Sequence, residues 1–362
     1  MLAALQRAAL MSFHYRKPKI LMTRPPYESL PASEAAAGPR QDVFTPDAGQ
    51  SPPPDAPFFI VQNAGSGRSS TEEVQQTIAQ VLDGAGRKHT FLTVSDPSTL
   101  TETARKALKL AQEQGGVVVA AGGDGTLNAV ARVVLGSGVP FGILPQGTFN
   151  YFGRTYGISQ DTERSTRSLL DAVIEPVQVG MLNGQAFLVN ASLGLYPTLL
   201  EDREAYKQKY GRSRLVALWS GLVTLFRVHR QLRLSMEIEG RPTHMRTPTL
   251  VVGNNALQLE QIGIGDPRDL ERGKLVAMGP KPVGTWQLYK LLALGLISRL
   301  GEAENAFSFN FTRLVVNPQG NRRVKVAMDG EISHVQAPLV FTVADDRLSL
   351  LVPRDESLRE RK

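Results

Sequence analysis

The chain has 362 residues, 42% of them hydrophobic and 21% charged, with a formal net charge of +7. That length suits two domains of ordinary size, and the basic balance favours an anionic partner such as a nucleotide, a nucleic acid or an acidic membrane face. There is no cysteine, which excludes disulfides and cysteine-held metal or redox centres and suits a reducing compartment.

Residues 1–57 hold ten of the chain's 23 prolines, among them Pro52-Pro53-Pro54, together with the stretch PASEAAAGP. Such a composition buries little and is expected to form a disordered tail. The opening MLAALQRAALMSFHYRKPK carries Arg7 inside its apolar part and its basic residues afterwards, the reverse of a secretory signal. No apolar run reaches the ~20 residues of a membrane span. The expectation is a cytoplasmic protein, with the inner membrane face as a place of peripheral contact.

Order is expected to begin at the buried strand FFIVQ (58–62). A Gly/Ser turn leads to the helix of STEEVQQTIAQVLDGAG, which Ser70 or Thr71 can cap. HTFLTV (89–94), VVVAA (117–121) and PFGILP (140–145) read as further strands. Between them lie the helices of PSTLTETARKALKLAQEQGG, closed by Gly115-Gly116, and TLNAVARVVLG. This alternation of apolar strands and helices predicts a parallel sheet covered on both faces. Beyond about residue 176 the rhythm changes. Asn183-Gly184 separates two strand-like runs, a strong hairpin signal, and many short strands follow. Two Leu-rich helical insertions, 214–230 and 285–300, interrupt this second half. They read either as helices packed on the β-domain or as an interfacial surface flanked by basic residues.

The stretch VVVAAGGDGTLNAVA (117–131) carries the chemistry. Glycines between a strand and a helix let the backbone approach a ligand, and the helix N-terminus offers unpaired N–H groups to an anion. A Walker loop is excluded for want of its GK[ST], and the dinucleotide fingerprint fails because Asn128 stands where the third glycine belongs. Asp124 is then either a helix N-cap or a residue that meets phosphate through a cation. QNAGSGR (62–68) and LPQGTFNYFGR (144–154) end neighbouring strands, so Asn63, Ser66, Gly67, Gly147, Thr148 and Asn150 can converge on the same sheet edge. AMDGEISH (327–334) presents Asp329 and Glu331 about a glycine, which alone reads as a hairpin turn.

Taken in order, NAGSG, GGDGTLNAV, PQGTFNYFGR, NASLGLYP, VVGNNA and MDGE resemble the bacterial diacylglycerol kinase catalytic family of diacylglycerol, sphingoid-base and related lipid kinases. The resemblance spans roughly residues 58–353. It implies an α/β fold class with two domains: a three-layer α/β nucleotide-binding domain over 58–178 and a β-sandwich with helical insertions over 179–345. Residues 346–362 would form a last strand and tail, able to return to the first domain, and the active site would lie in the cleft. It further implies that Asn63, Ser66, Gly67, Thr93, Gly122, Gly123, Asp124, Gly125, Thr126 and Thr148 bind ATP, with Asp124 near the nucleotide's Mg²⁺. Glu331 would be the general base and Asp329 its support. The implied activity is transfer of the γ-phosphoryl group of ATP to a lipid hydroxyl. An NAD-kinase-like enzyme and a catalytically weak nucleotide- or lipid-binding protein are the alternatives; no nucleic-acid motif is present. Three positions depart from the family pattern. Ala129 replaces a frequent Glu, Tyr151 a frequent Asp, and Arg272 in LERGKL stands where some members hold a structural Mg²⁺ with acidic residues.

Overall fold

The computed structural model describes residues 48–64, 70–147, 150–198, 200–201, 231–256, 259, 273–282, 306–320 and 322–360. The insertions 214–230 and 285–300, Arg272, Ser66, Gly67 and Thr148 lie outside the described residues.

The first half is built on strands β1 (Phe58–Asn63), β2 (His89–Val94), β3 (Val117–Gly122), β4 (Phe141–Pro145) and β5 (Ala172–Val177). The last strand of the chain, β18 (Leu348–Pro353), joins this sheet between β4 and β5, in the order β2-β1-β3-β4-β18-β5. All pairs are parallel except β18 with β5. Period-two side chains send β3 into two cores at once. Val118 and Ala120 pack with Ala104, Ala107, Leu127 and Val130 on one face, and Val117, Val119 and Ala121 pack with Val74, Ile78 and Leu82 on the other.

The helices end where their local chemistry dictates. In α1 (Thr71–Gly84), Ser70 is the cap: its hydroxyl accepts from the Glu73 N–H while the Glu73 carboxylate accepts from the Ser70 N–H. Helix α2 (Leu100–Gln114) closes on Gly115 at φ +64°, a conformation glycine adopts without strain. Helices α3 (Asp124–Val134), α4 (Tyr151–Thr155) and α5 (Thr162–Leu170) complete this half.

Order starts earlier than the proline content suggests. Gly49 N–H donates to the Ile174 carbonyl and Ile174 N–H to that of Gln50, so this segment extends the pairing of β5. The Arg87 guanidinium fastens the Pro53 and Ala56 carbonyls. The expected tail over 1–57 is therefore corrected at residues 48–57. Their backbone groups find partners on the sheet domain, and proline costs nothing where no N–H is needed.

Residues 180–343 supply a sandwich of two six-stranded sheets. One holds β10 (Arg241–Thr247), β9 (Leu232–Ile238), β14 (Arg313–Pro318), β17 (Leu339–Val343), β6 (Gly180–Leu182) and β7 (Gln185–Phe187) in that order. The other holds β13 (Ala306–Phe311), β12 (Leu275–Pro280), β11 (Thr249–Gly253), β8 (Asn190–Gly194), β15 (Arg323–Met328) and β16 (Glu331–Gln336). Leu182, Phe187, Leu193, Leu250, Phe311, Phe341 and their neighbours fill the space between them. The β6–β7 turn has both Asn183 (φ +47°) and Gly184 (φ +77°) in the left-handed region, as the Asn-Gly signal requires.

The halves share a core. Val177, Val179, Ala186, Leu188 and Val189 belong to the same apolar cluster as Phe59, Val61 and Leu127. At the joint, the buried Gln178 amide donates to Asn254 Oδ1, and Asn254 Nδ2 donates to the carbonyls of Gln178 and Leu188. Among the described residues no helix is long and apolar enough to cross a membrane.

Candidate active site

The carboxyl ends of β1, β2, β3 and β4 lie along one edge of the sheet, the place where open α/β folds bind ligands. Asn63, ending β1, donates from Nδ2 to Thr126 Oγ1 at 3.2 Å and so ties the first loop to the glycine loop. Thr93 sits exposed near the end of β2, opposite Gln62, and its hydroxyl accepts from Gln75 at 3.0 Å.

Two glycines of these loops leave no room for a side chain. A Cβ on Gly122 would stand 2.6 Å from Thr126 Cβ, and one on Gly147 would stand 3.0 Å from Gly123 Cα. The loops after β3 and β4 thus meet backbone to backbone. Gly123 is the N-cap of α3 in extended conformation, with no side chain to occupy the free N–H groups of the first turn. Asp124 is the first helical residue, which removes the helix-cap reading. Its Oδ2 accepts from the Asn150 N–H at 3.2 Å, while Oδ1 is buried with no partner among the described residues. Burial raises the carboxyl's pKa, and the Asn150 N–H offsets part of that rise.

Asn150 organises this corner. Fully buried and left-handed at φ +44°, it accepts from the Gly147 N–H and donates to the Gly147 carbonyl and to Gln160. Asparagine tolerates this backbone better than most residues because its short amide bonds locally. Tyr151 follows at the start of α4, half-buried. Burial raises its phenol pKa, Arg154 opposes that and the Asp124 charge adds to it. Where the family often has a carboxylate, this chain places a neutral ring beside Asp124. Thr155 and Asn255 bond across the cleft, Oγ1 to Oδ1 at 2.9 Å.

The second domain brings its carboxylates in on the β15–β16 hairpin. Asp329 (φ +49°) and Gly330 (φ +90°) form its turn, so the hairpin reading and the site reading describe the same residues. Glu331 is exposed, and a Cβ added to Gly125 would lie 2.9 Å from its Oε1. The carboxylate therefore rests over the first turn of α3. Asp329 points elsewhere. It is half-buried and accepts from three successive backbone N–H groups, those of Leu188 (2.7 Å), Val189 (2.8 Å) and Asn190 (3.0 Å). Desolvation pushes its pKa up to about 6, against the pull of those bonds and of the Arg132 charge. Its carboxylate is spent on holding the turn, so it acts on Glu331 through position.

The structure thus joins Asn63, Gly122, Gly123, Asp124, Gly125, Thr126 and Glu331 at one place, with Thr93 further out on the edge strand. Sequence reasoning missed Asn128 and Arg132. Both lie on the helix face of Asp124, at four-residue spacing, and Asn128 is fully buried with neither amide atom paired among the described residues. A polar residue every fourth position in an otherwise apolar helix was the available signal.

The residues fit a phosphate-bearing ligand that carries its own cation. The Gly122–Gly125 cradle closes against side chains, and the unpaired Asp124 Oδ1 can face a cation. Among the described residues no cluster of three or more His, Asp or Glu forms a metal cage.

Fold and site together set a glycine-lined helix N-terminus on an α/β sheet against a carboxylate from a β-sandwich. Residues 57–182, about a third of the chain, match the model of the diacylglycerol kinase catalytic domain. It is 30% identical to diacylglycerol kinase of Bacillus subtilis (strain 168) over 146 residues, 40% of this chain and 47% of the relative. It is 28% identical to the "Probable lipid kinase YegS-like" of Serratia proteamaculans (strain 568) over 211 residues, 56% and 64% of the two chains. The match spans about half the length of the curated relatives such as the Bacillus enzyme. A crystal structure of a diacylglycerol kinase from Bacillus anthracis superposes with a TM-score of 0.58 at 17% identity, covering 83% of this chain and 97% of that one. At that identity the likeness is one of fold.

Proposed function

We propose that the protein is an ATP-dependent lipid kinase that transfers the γ-phosphoryl group to the hydroxyl of diacylglycerol, a sphingoid base or a related lipid. The observation that carries this reading is the exposed Glu331 carboxylate resting on Gly125, at the first turn of the phosphate-cradling helix. The names of the curated relatives supply the lipid class.

A lipid hydroxyl is a weak nucleophile at neutral pH. In this reading its oxygen attacks the γ-phosphorus while its proton passes to a Glu331 carboxylate oxygen, and the bond to the β-phosphate oxygen breaks to release ADP. The free N–H groups at the start of α3 hold the phosphate charge, and the backbone contact of Gly123 with Gly147 keeps side chains out of their way. Mg²⁺ carried by the nucleotide would be held beside Asp124, where it neutralises phosphate charge. Asp329 keeps the turn rigid, so the base stays aimed.

The test is radiolabelled ATP offered with a panel of hydroxylated lipids in mixed micelles and, separately, with NAD. Label in the lipid supports the reading. Label in NAD, or nucleotide binding without any transfer, overturns it in favour of the other two readings of this fold.

A further inference from the structure

Two turns beyond Gly125, α3 meets β7, the strand that leads into the clasp holding the base hairpin. Arg132 lies seven residues further along the helix, about 10 Å along its axis. Its Nε donates to the Ala186 carbonyl at 2.8 Å, across the domain joint. Ala186 lies two residues before Leu188, the first of the three residues whose N–H groups clasp Asp329. The Arg132 Nη2 is buried there with no hydrogen-bond partner among the described residues. The charged groups on the elements packed about Asp329 are Asp124 and Arg132 on α3, Arg323 and Lys325 on β15, and Glu331 and His334 on β16; only the Arg132 charge bears on it.

We propose that Arg132 is a positioning residue for the general base: it pins the Ala186–Asn190 segment and its Asp329 clasp to the helix that carries the phosphate cradle. The hairpin is thereby held at two points, Glu331 over Gly125 and the Asp329 clasp beside Arg132, and two points fix a rotation that one leaves free. A guanidinium bonded to a carbonyl, with its Nη2 buried and a carboxylate near it, is suited to this, because its planar fork loses little freedom on bonding. The idea rests on the lipid-kinase reading for its catalytic consequence, but its structural half stands apart from it.

The experiment uses the full chain and the variants Arg132→Gln and Arg132→Lys, with two readouts. The first is amide hydrogen exchange without substrate. Arg132→Gln is expected to speed exchange at Leu188, Val189 and Asn190 at least about tenfold, relative to α2 as internal reference, with Arg132→Lys in between. The second is lipid phosphorylation against pH. For Arg132→Gln, kcat is expected to fall at least about tenfold with KM for ATP unchanged, and its acid limb to move to higher pH because the clasp loses its counter-charge. Arg132→Lys, which keeps the charge, should restore the limb towards wild type. Wild-type exchange at 188–190 in Arg132→Gln, or an unmoved kcat and acid limb, overturns the proposal. If Arg132→Gln does not fold, Arg132→Lys decides by the same two readouts. If the wild-type chain phosphorylates no lipid, the proposed function fails, while exchange still decides the clasp.

Discussion

Gly125→Ala separates stability from chemistry at the point where the two domains meet. The new methyl would stand 2.9 Å from Glu331 Oε1, whereas ordinary contact begins at 3.4 Å. The carboxylate, at the end of a flexible exposed side chain, must withdraw by about 0.5 Å, which costs the fold little. Gly125 is inside α3, where alanine is favoured over glycine by ~0.5–1 kcal/mol. Stability is therefore expected to hold or rise slightly, read as the urea midpoint. Activity should move the other way. Displacing a catalytic group by up to an ångström can cost ~10²-fold, so a drop in kcat of about tenfold to a hundredfold is expected. In a Glu331→Gln background the same methyl should have little further effect, since both changes act on one group. A Gly125→Ala enzyme with undiminished single-turnover rate would refute the placement of Glu331 over the cradle.

Gly122→Ala should behave differently, because its methyl meets the β-branched Thr126 at 2.6 Å, and a buried threonine on a helix cannot retreat. A loss of ~1–3 kcal/mol in the denaturant midpoint is expected, with Thr126→Ser as a partial rescue. Asp329 gives a pH signature. Its folded pKa of about 6 lies above the ordinary 3.8, so the folded state binds the extra proton between those values. Its ionised form then burdens the fold above pH 6, and the burden is relieved as pH falls through 6 towards 4. Relative to Asp329→Asn, wild-type stability should rise by about 2 kcal/mol from pH 7 to pH 4, at 1.36 kcal/mol per pKa unit; a flat difference would contradict it. Asn150→Ala removes the side chain that pins Gly147 and should weaken nucleotide binding, read by titration calorimetry, with a stability loss of ~1–3 kcal/mol from the groups left unpaired.

The parallel sheet was legible because β3 and β4 are apolar throughout, the mark of strands buried on both faces. The turns at Asn183-Gly184 and Asp329-Gly330 were legible because only a few residues accept positive φ in succession. Residues 48–57 were misread because composition counts apolar area, whereas Gly49 and Gln50 are held by backbone bonds to Ile174. The role of Asp124 stayed ambiguous in sequence, since a carboxylate at a helix start can cap or bind. The structure decides against the cap because Gly123 holds that position and Asp124 is the first helical residue. Asp329 could not be separated from Glu331, because two residues of spacing do not reveal that one carboxylate is clasped by Leu188–Asn190 and the other lies open. Arg132 was invisible for a related reason: its partner is a backbone carbonyl more than fifty residues away.

The central claim is that Glu331 takes the proton of a lipid hydroxyl at the cradle headed by Asp124. The most direct measurement is the single-turnover rate of lipid phosphorylation by Glu331→Gln beside that of the wild-type chain, with ATP affinity measured on both. The account predicts a rate lower by ~10²–10⁴ with ATP affinity unchanged. A rate within a few-fold of wild type under chemistry-limited conditions would contradict it.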